Sequence, residues 1–147
     1  MLSKEKVNNF WMKKNLALFG LSRDPKKISR RVYELLVSKE YQIYPINPNV
    51  EQIDSITCYK SLDDIKKKLE GAIVITNPKI SIEVVKKCHQ KNISELWFQL
   101  DTMDDNVTAY LEENEMNYIY SCVLLHHKEA GFPHTWHRFF YRLFSMK

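Results

Sequence analysis

The chain has 147 residues, of which 44% are apolar and 27% are charged, a composition typical of one soluble domain with a buried core. No run approaches the roughly 18 apolar residues of a membrane span, and the N-terminus lacks a secretory signal, so we expect neither a membrane protein nor a secreted one. The net charge is +4, and residues 23–31 alone carry five cations and one acid. The rest of the chain is therefore neutral, unlike a globally basic nucleic-acid binder.

Cysteine usage points to a reducing compartment. Cys58, Cys88 and Cys122 are odd in number, far apart and without a CxxC pair. This spacing argues against a disulfide scaffold or a zinc ribbon and predicts a cytoplasmic protein.

Hydrophobic spacing in the first third of the chain predicts two helices and two strands. An apolar helix face over residues 3–13 is followed by a continuous apolar run at 16–19, typical of a strand covered on both faces. An amphipathic helix over residues 29–39 and a β-rich run over residues 42–46 come next. The run stops at the turn cluster Asn47–Asn49.

The middle of the chain shows a helix-start signal at Ser61. Asp64, three residues later, makes a looser version of the capping box. Leu62, Ile65 and Leu69 fall at helical spacing, and Gly71 is placed to end the helix as a C-cap. These residues predict a helix over residues 61–71.

Strands and helices continue to alternate to the C-terminus. The predicted elements are a strand at 72–75, a helix at 81–91, a strand at 93–100, a helix at 104–115, a strand at 116–121 and a helix at about 134–145. Alternation of this kind predicts an α/β, three-layer, doubly wound Rossmann-like fold with a five-stranded parallel sheet and extra N- and C-terminal helices. We expect a single domain over residues 1–147 with its core at about 15–126. The terminal helices are expected to cover the sheet or, as the alternative, to form a homodimer.

The turn after the first strand has the character of an anion site. In doubly wound sheets, ligands bind beyond the carboxyl ends of the strands. Gly20 lies at that edge and lets a phosphate approach the backbone, while the following helix start offers N–H groups and partial positive charge. Ser22 and Ser29 add hydroxyls. The alternative is that the five cations are simply a solvated helix face.

The end of the second strand indicates the kind of nucleotide. The turn is not the GxGxxG dinucleotide fingerprint, because Ser22 and Pro25 stand where glycines are needed. Dinucleotide enzymes carry an acid at the end of the second strand to hold the ribose 2′-hydroxyl. Asn47 occupies that place. A neutral amide tolerates a phosphorylated ribose, and nearby cations can pair with the phosphate, so the residues predict an adenine nucleotide with an extra phosphate.

Three sequence fragments carry a resemblance to a known family. In order they are Gly20-x-Ser22-x-x-Pro25-x-x-x-Ser29, Tyr41-x-Ile43-Tyr44-Pro45-Ile46-Asn47-Pro48 and Tyr59-x-Ser61-Leu62-x-x-Ile65. Over residues 15–126 the chain resembles the small stand-alone CoA-binding domain family, which is similar to the CoA-binding domain of succinyl-CoA synthetase. The resemblance implies coenzyme A, or an acyl-CoA, as the ligand.

The resemblance also implies positions for the ligand. The first fragment would line the pyrophosphate, Asn47 would border the adenosine end, and the exit of the third predicted strand would form the opposite lip. Two departures stand out: Thr76–Lys79 replaces a segment that often holds arginine, and Asp101 replaces a frequent glycine. The candidate cofactor-binding residues are Gly20, Leu21, Ser22, Arg23, Pro25, Ser29, Arg30, Asn47, Pro48, Thr76, Asn77, Pro78 and Cys122.

Catalytic and metal-binding interpretations are weaker. Cys122 near a protonated His126 is a candidate thiolate nucleophile or a mixed-disulfide partner for the CoA thiol; the alternative is a small buried residue at a strand end. His134 and His137 share a helix face that Cys122 or His126 would complete as a metal site, yet the spacing matches no familiar zinc motif. We therefore predict ligand binding without catalysis and without a metal.

Two other functions remain open from the sequence. One is an NAD(P)-binding redox sensor, against which the neutral Asn47 argues. The other is a nucleic-acid-binding protein, because Arg138 and Arg142 alternate with aromatic residues, although no recognised nucleic-acid-binding motif is present.

Overall fold

The centre of the molecule is a parallel sheet in a computed structural model that describes residues 2–127. The strands, in chain order, are β1 (Asn15–Phe19), β2 (Gln42–Ile46), β3 (Gln52–Ile53), β4 (Ile56–Thr57), β5 (Gly71–Val74), β6 (Glu95–Phe98) and β7 (Asn117–Tyr120). Five of them form the sheet in the order β2-β1-β5-β6-β7, and β3 and β4 form a separate antiparallel hairpin. In the sheet register Leu18 lies beside Pro45 on one side and Ile73 on the other.

Helices cover both faces of the sheet. They are α1 (Lys4–Trp11), α2 (Ile28–Ser38), α3 (Pro78–Gln90) and α4 (Asp105–Glu113), with short 3₁₀ turns at Leu62–Asp64 and Val123–His127. Alternate residues of β1 face opposite layers: Leu16 and Leu18 pack with α1 and α2, whereas Ala17 and Phe19 pack with α3 and α4. The three-layer, doubly wound fold with five parallel strands is confirmed.

The N-terminal helix covers its own sheet. Val7 and Phe10 are buried, and the Phe10 ring lies 5.3 Å from the Trp97 ring of β6. The expected C-terminal helix at 134–145 lies outside the described residues.

The helix expected over residues 61–71 is wrong. The capping box between Ser61 and Asp64 is present, but only one 3₁₀ turn follows, and Ile65 is extended at φ −95° and ψ 115°. The apolar stripe offers little packing because Ile65 and Leu69 are only half-buried. Glu70 is instead held at the start of β1, where its carboxylate accepts the backbone N–H groups of residues 14 and 15. Tertiary contacts thus override a weak helical pattern.

Gly71 is not the helix C-cap that its position suggested. It is the first residue of β5, and a Cβ there would lie 2.9 Å from the carbonyl oxygen of Glu95 and 3.1 Å from Leu16 Cδ2. Glycine is required because neighbouring strands approach closely.

Candidate functional site

A cavity of about 460 Å³ opens at the carboxyl edge of β1 and β2 and extends along one face of α3. Five of the residues expected from the sequence line it: Gly20, Leu21, Asn47, Pro48 and Thr76. Three further lysines and two acids also line it, together with apolar side chains from four different segments. The remaining lining residues are Phe19, Ile46, Asn49, Lys60, Ser61, Leu62, Asp63, Ile80, Glu83, Val84, Lys87, Gln90 and Lys91.

Gly20 is the point at which β1 leaves the sheet. Its φ is +99°, a conformation that residues with a side chain rarely adopt, and a Cβ would lie 2.2 Å from the carbonyl oxygen of Ile75. The glycine therefore allows the chain leaving β1 to pass close to the backbone of Ile75, just after the parallel neighbour β5. Glycine is therefore needed at position 20 for the packing of the backbone, in addition to the access for a phosphate expected from the sequence.

The turn after Gly20 is held by its own hydrogen bonds. The backbone N–H of Ser22 donates to Ser29 Oγ at 2.9 Å, and that of Asp24 donates to Ser22 Oγ at 3.0 Å. The backbone N–H of Lys26 donates to Asp24 Oδ1 at 2.9 Å. Both serine hydroxyls act as acceptors within the turn. Ser22 is half-buried and can donate its own hydrogen to a ligand, whereas Ser29 is buried at 2% exposure and supports the turn from inside.

The five cations of residues 23–31 fall into two groups. Arg23, Lys26 and Lys27 are exposed. Arg30 is only 5% exposed, and its guanidinium bonds to backbone carbonyls of the turn and to Asp54. The fifth cation, Arg31, is half-buried. Three of the five cations are thus exposed to solvent, whereas Arg30 is bonded inside the protein.

Helix α2 begins in the middle of this cluster. Its N-cap is Lys27, whose side chain makes no capping hydrogen bond, whereas Ser3, Asn77 and Asp104 cap the N-termini of α1, α3 and α4 through their side chains. The first N–H groups of α2 lack the side-chain acceptor that the other three described helices have.

Asn47 continues from β2 into the cavity wall. Its backbone N–H donates to the carbonyl oxygen of Tyr59 at 2.8 Å, and its side-chain Oδ1 accepts the backbone N–H of Asn49 at 2.9 Å. The oxygen is occupied by this Asx turn, so the amide nitrogen is the group that can donate to a ligand. No carboxylate occupies this position.

One face of α3 forms a wall that the sequence analysis missed. Ile80, Glu83, Val84, Lys87 and Lys91 recur at intervals of three and four residues and line the cavity. Ile80 is 51% exposed and provides apolar surface at the cavity opening. The signal available in the sequence was this helical spacing on the element that follows β5.

Charged residues lie around the same opening. Lys91 at the end of α3 forms an ion pair with Asp63 of the 3₁₀ turn, and Lys60 lies 3.9 Å from Glu51. The first pair joins two sides of the cavity.

Thr76, Asn77 and Pro78 have separate roles at the exit of β5. Thr76 lines the cavity, and its hydroxyl is 2.8 Å from Ser81 Oγ. The Asn77 side chain accepts the backbone N–H of Ile80, and Pro78 begins α3, which therefore starts three residues earlier than expected. Asn77 and Pro78 do not line the cavity.

Cys122 lies beyond β7, three strands away from β1 in the sheet. Its side chain is buried at 2% exposure. His126 pairs with Ser121 Oγ at 2.9 Å and packs against the Trp97 ring at 5.0 Å. His134 and His137 lie outside the described residues.

Asp101 adopts φ +65°, within the left-handed region that glycine enters most easily. Its backbone N–H donates to Tyr120 Oη at 3.0 Å. This conformation explains why glycine suits the position in the family that the chain resembles.

The described part of the chain contains neither a metal-binding cluster nor a membrane-spanning helix. Within residues 2–127 no group of three or more histidine, cysteine or acidic side chains is arranged to hold a metal ion. No helix in that range has the length and apolar character needed to cross a membrane.

Comparison with known proteins gives a family and several relatives. The family described as CoA binding domain matches residues 14–128, which confirms the resemblance noted from the sequence. The chain is 31% identical over 90 residues to the acetate–CoA ligase [ADP-forming] II subunit alpha of Pyrococcus furiosus, a match that covers 59% of this chain and 19% of that protein. It is 33% identical over 89 residues to the acetate–CoA ligase [ADP-forming] II of Archaeoglobus fulgidus, covering 59% and 13%. The matched segment thus spans one fifth or less of these curated relatives.

Solved structures share the fold over most of their length. A hypothetical protein from Pyrococcus horikoshii OT3 aligns with a TM-score of 0.78 and 25% identity, covering 88% of this chain and 92% of that one. A protein from Thermus thermophilus aligns with a TM-score of 0.76 and 20% identity, covering 88% and 98%.

Proposed function

Since this chain belongs to the CoA binding domain family, we propose that it binds coenzyme A, or an acyl-CoA, at the carboxyl edge of the sheet. The observation that carries the proposal is the meeting of two features at Gly20 and Leu21. On one side is the cavity of about 460 Å³, and on the other is the turn with its serine hydroxyls and exposed cations. Cavities of several hundred Å³ are the usual size for small-molecule sites.

The cavity suits the nucleoside end of the ligand. Its lining combines apolar side chains from β1, β2, the 3₁₀ turn and α3, which can contact a flat base, with polar and charged groups that can bind the sugar and its phosphate. Ile80 and Val84 of α3 would cover one face of the base, and Pro48 would border its edge.

The turn suits the pyrophosphate. The hydroxyl hydrogen of the half-buried Ser22 can be donated to a phosphate oxygen, and the start of α2, which has no side-chain cap, adds N–H groups and partial positive charge. Ser29, which is buried, would act by accepting the backbone N–H of Ser22 and so holding the turn. Arg23 supplies an exposed charge beside them. Pro25 restricts the backbone between the two serines.

The cavity also has room for a phosphate on the ribose. Asn47 is uncharged, so it does not repel that group, and Lys60 and Lys87 line the same opening. An acid at Asn47 would have favoured an unmodified ribose. These residues favour a ligand with a 3′-phosphate over NAD.

We further propose that binding takes place without chemical change. Burial of Cys122 keeps its sulfur from an acyl group or a CoA thiol in this conformation. The ligases among the relatives are far longer than the segment they share with this chain, so their reaction is not part of the proposal.

Thermal unfolding with added ligands tests the proposal. CoA should raise the melting temperature more than dephospho-CoA, and dephospho-CoA more than NAD. A ligand at 100 times its dissociation constant stabilises the native state by about 2.7 kcal/mol, which is about 8 °C for a chain of this size. Stabilisation that is greatest with NAD would support the redox-sensor function instead, and no shift with CoA would refute the proposal.

A further inference from the structure

We propose that Arg30 is a positioning residue that orients the turn after β1 toward the ligand phosphates, and that Asp54 holds its guanidinium in place. The inference rests on the proposed function, because it assigns a cause to the shape of the phosphate-binding turn. The sequence placed Arg30 among the residues that contact the ligand; the inference instead makes it a residue that holds the ligand-binding turn in place.

The contacts of the guanidinium are all internal. Arg30 Nη1 donates to the carbonyl oxygens of Ser22 at 3.3 Å and Arg23 at 3.2 Å. Nη2 donates to Asp54 Oδ2 at 2.6 Å. A planar guanidinium can bridge two carbonyls and a carboxylate because its donors form a rigid fork.

These contacts determine which way the turn faces. In a trans peptide the C=O and the following N–H point in opposite directions. Because the carbonyls of Ser22 and Arg23 point toward Arg30, the N–H groups of Arg23 and Asp24 point away from it. The Asp24 N–H is taken by Ser22 Oγ, so the Arg23 N–H is the outward donor that Arg30 orients.

Asp54 connects this turn to the β3–β4 hairpin. It lies between the two short strands at φ +51°, and its side chain is 63% exposed although its partner Arg30 is buried. The hairpin is fixed by Ile53, which is 2% exposed and belongs to the core layer that holds α2. The hairpin therefore anchors the arginine to an element outside the turn.

The arginine is not arranged for stability alone. Its Nε is buried and has no hydrogen-bond partner among residues 2–127. An unsatisfied buried donor costs free energy, so the guanidinium is not placed to satisfy all of its donors; its three described bonds go to the turn and to Asp54.

Asp54→Asn is the sharpest test. Asparagine has the same shape and tolerates a left-handed backbone, so this exposed position should keep its fold while the charge that holds Arg30 is lost. We expect CoA and ADP, which carry 5′-phosphates, to bind about tenfold more weakly. Adenosine 3′-phosphate lacks the 5′-phosphates and should bind as it does to the wild type. Glu34→Gln, an exposed change of the same charge on α2, is the matched control and should alter neither affinity.

Arg30→Lys separates positioning from direct binding. Lysine keeps the charge but cannot bridge both carbonyls and the carboxylate, so the positioning role predicts a loss for CoA at least as large as that of Asp54→Asn. Titration calorimetry gives the affinities, and thermal unfolding identifies any loss of fold.

Three results would overturn the inference. They are unchanged CoA affinity in Asp54→Asn, an equal loss for CoA and adenosine 3′-phosphate, and CoA affinity in a folded Arg30→Lys that matches wild type. Failure of the wild type to bind CoA at all would instead refute the proposed function, and the inference with it.

Discussion

Gly20→Ala is the substitution whose effect follows most directly from the backbone. The new Cβ would lie 2.2 Å from the carbonyl oxygen of Ile75 and 2.6 Å from its carbon, at a φ of +99°. The unfavourable conformation costs about 1–2 kcal/mol, and displacement of a packed backbone costs about 1–3 kcal/mol more. We expect the free energy of unfolding to fall by about 2–5 kcal/mol, which lowers the melting temperature by about 6–15 °C.

Gly71→Ala provides the matched control for this prediction. Its Cβ would lie 2.9 Å from one carbonyl oxygen and 3.1 Å from the movable end of Leu16, and its φ is not positive. A loss of about 1–2 kcal/mol is expected. Urea and thermal unfolding followed by circular dichroism compare the two variants. A Gly20→Ala protein within about 1 kcal/mol of wild type, or more stable than Gly71→Ala, would show that Gly20 does not lie against the backbone of Ile75 as described.

Other predictions concern the cavity wall and two titratable groups. Lys87→Ala should weaken CoA binding by about 1 kcal/mol, or about fivefold, but leave dephospho-CoA binding unchanged. Lys67→Ala, an exposed lysine outside the cavity, should alter neither affinity, and equal effects of the two substitutions in calorimetry would contradict the assignment of Lys87. Hydrogen bonds from Asn15 lower the pKa of Glu70 below its ordinary value of 4.5. The ionised carboxylate therefore makes a small contribution to the free energy of unfolding that is present above pH 4.5 and is lost as the pH falls through the lowered pKa. This loss of stability should be absent in Glu70→Gln. Burial raises the pKa of the Cys88 thiol to about 12. At mildly alkaline pH this thiol should therefore react with an alkylating reagent only when the protein unfolds. Rapid labelling of Cys88 in the native protein would refute its burial.

Local patterns in the sequence were sufficient for most of the fold. The strand expected at residues 42–46 has those bounds in β2, because apolar, β-branched and aromatic residues end at an Asn-Pro turn. The region after Ser61 was predicted wrongly, since a capping box starts a turn but does not supply the packing that sustains a helix. The β3–β4 hairpin was not predicted, because strands of two residues leave no periodic pattern.

Some residues of the candidate site could be predicted from the sequence, and others could not. Gly20 and Asn47 follow the carboxyl ends of neighbouring parallel strands. The topology of the sheet alone brings such positions together, without any knowledge of the side-chain packing. Lys87 was missed because its place in the cavity depends on how α3 packs. Arg30 was grouped with the exposed cations, and its burial depends on Asp54, which is 24 residues away in the chain. Long-range contacts of this kind have no local signature.

Amide chemical shifts during titration with CoA test the central claim most directly, namely that the ligand lies at the carboxyl edge of the sheet. Binding should perturb residues 20–24, 46–49 and 60–63 most strongly, because they form the turn and the cavity wall. Perturbations confined to the groove at the opposite edge, beside Glu70 and Asn117, with residues 20–24 unmoved, would contradict the account.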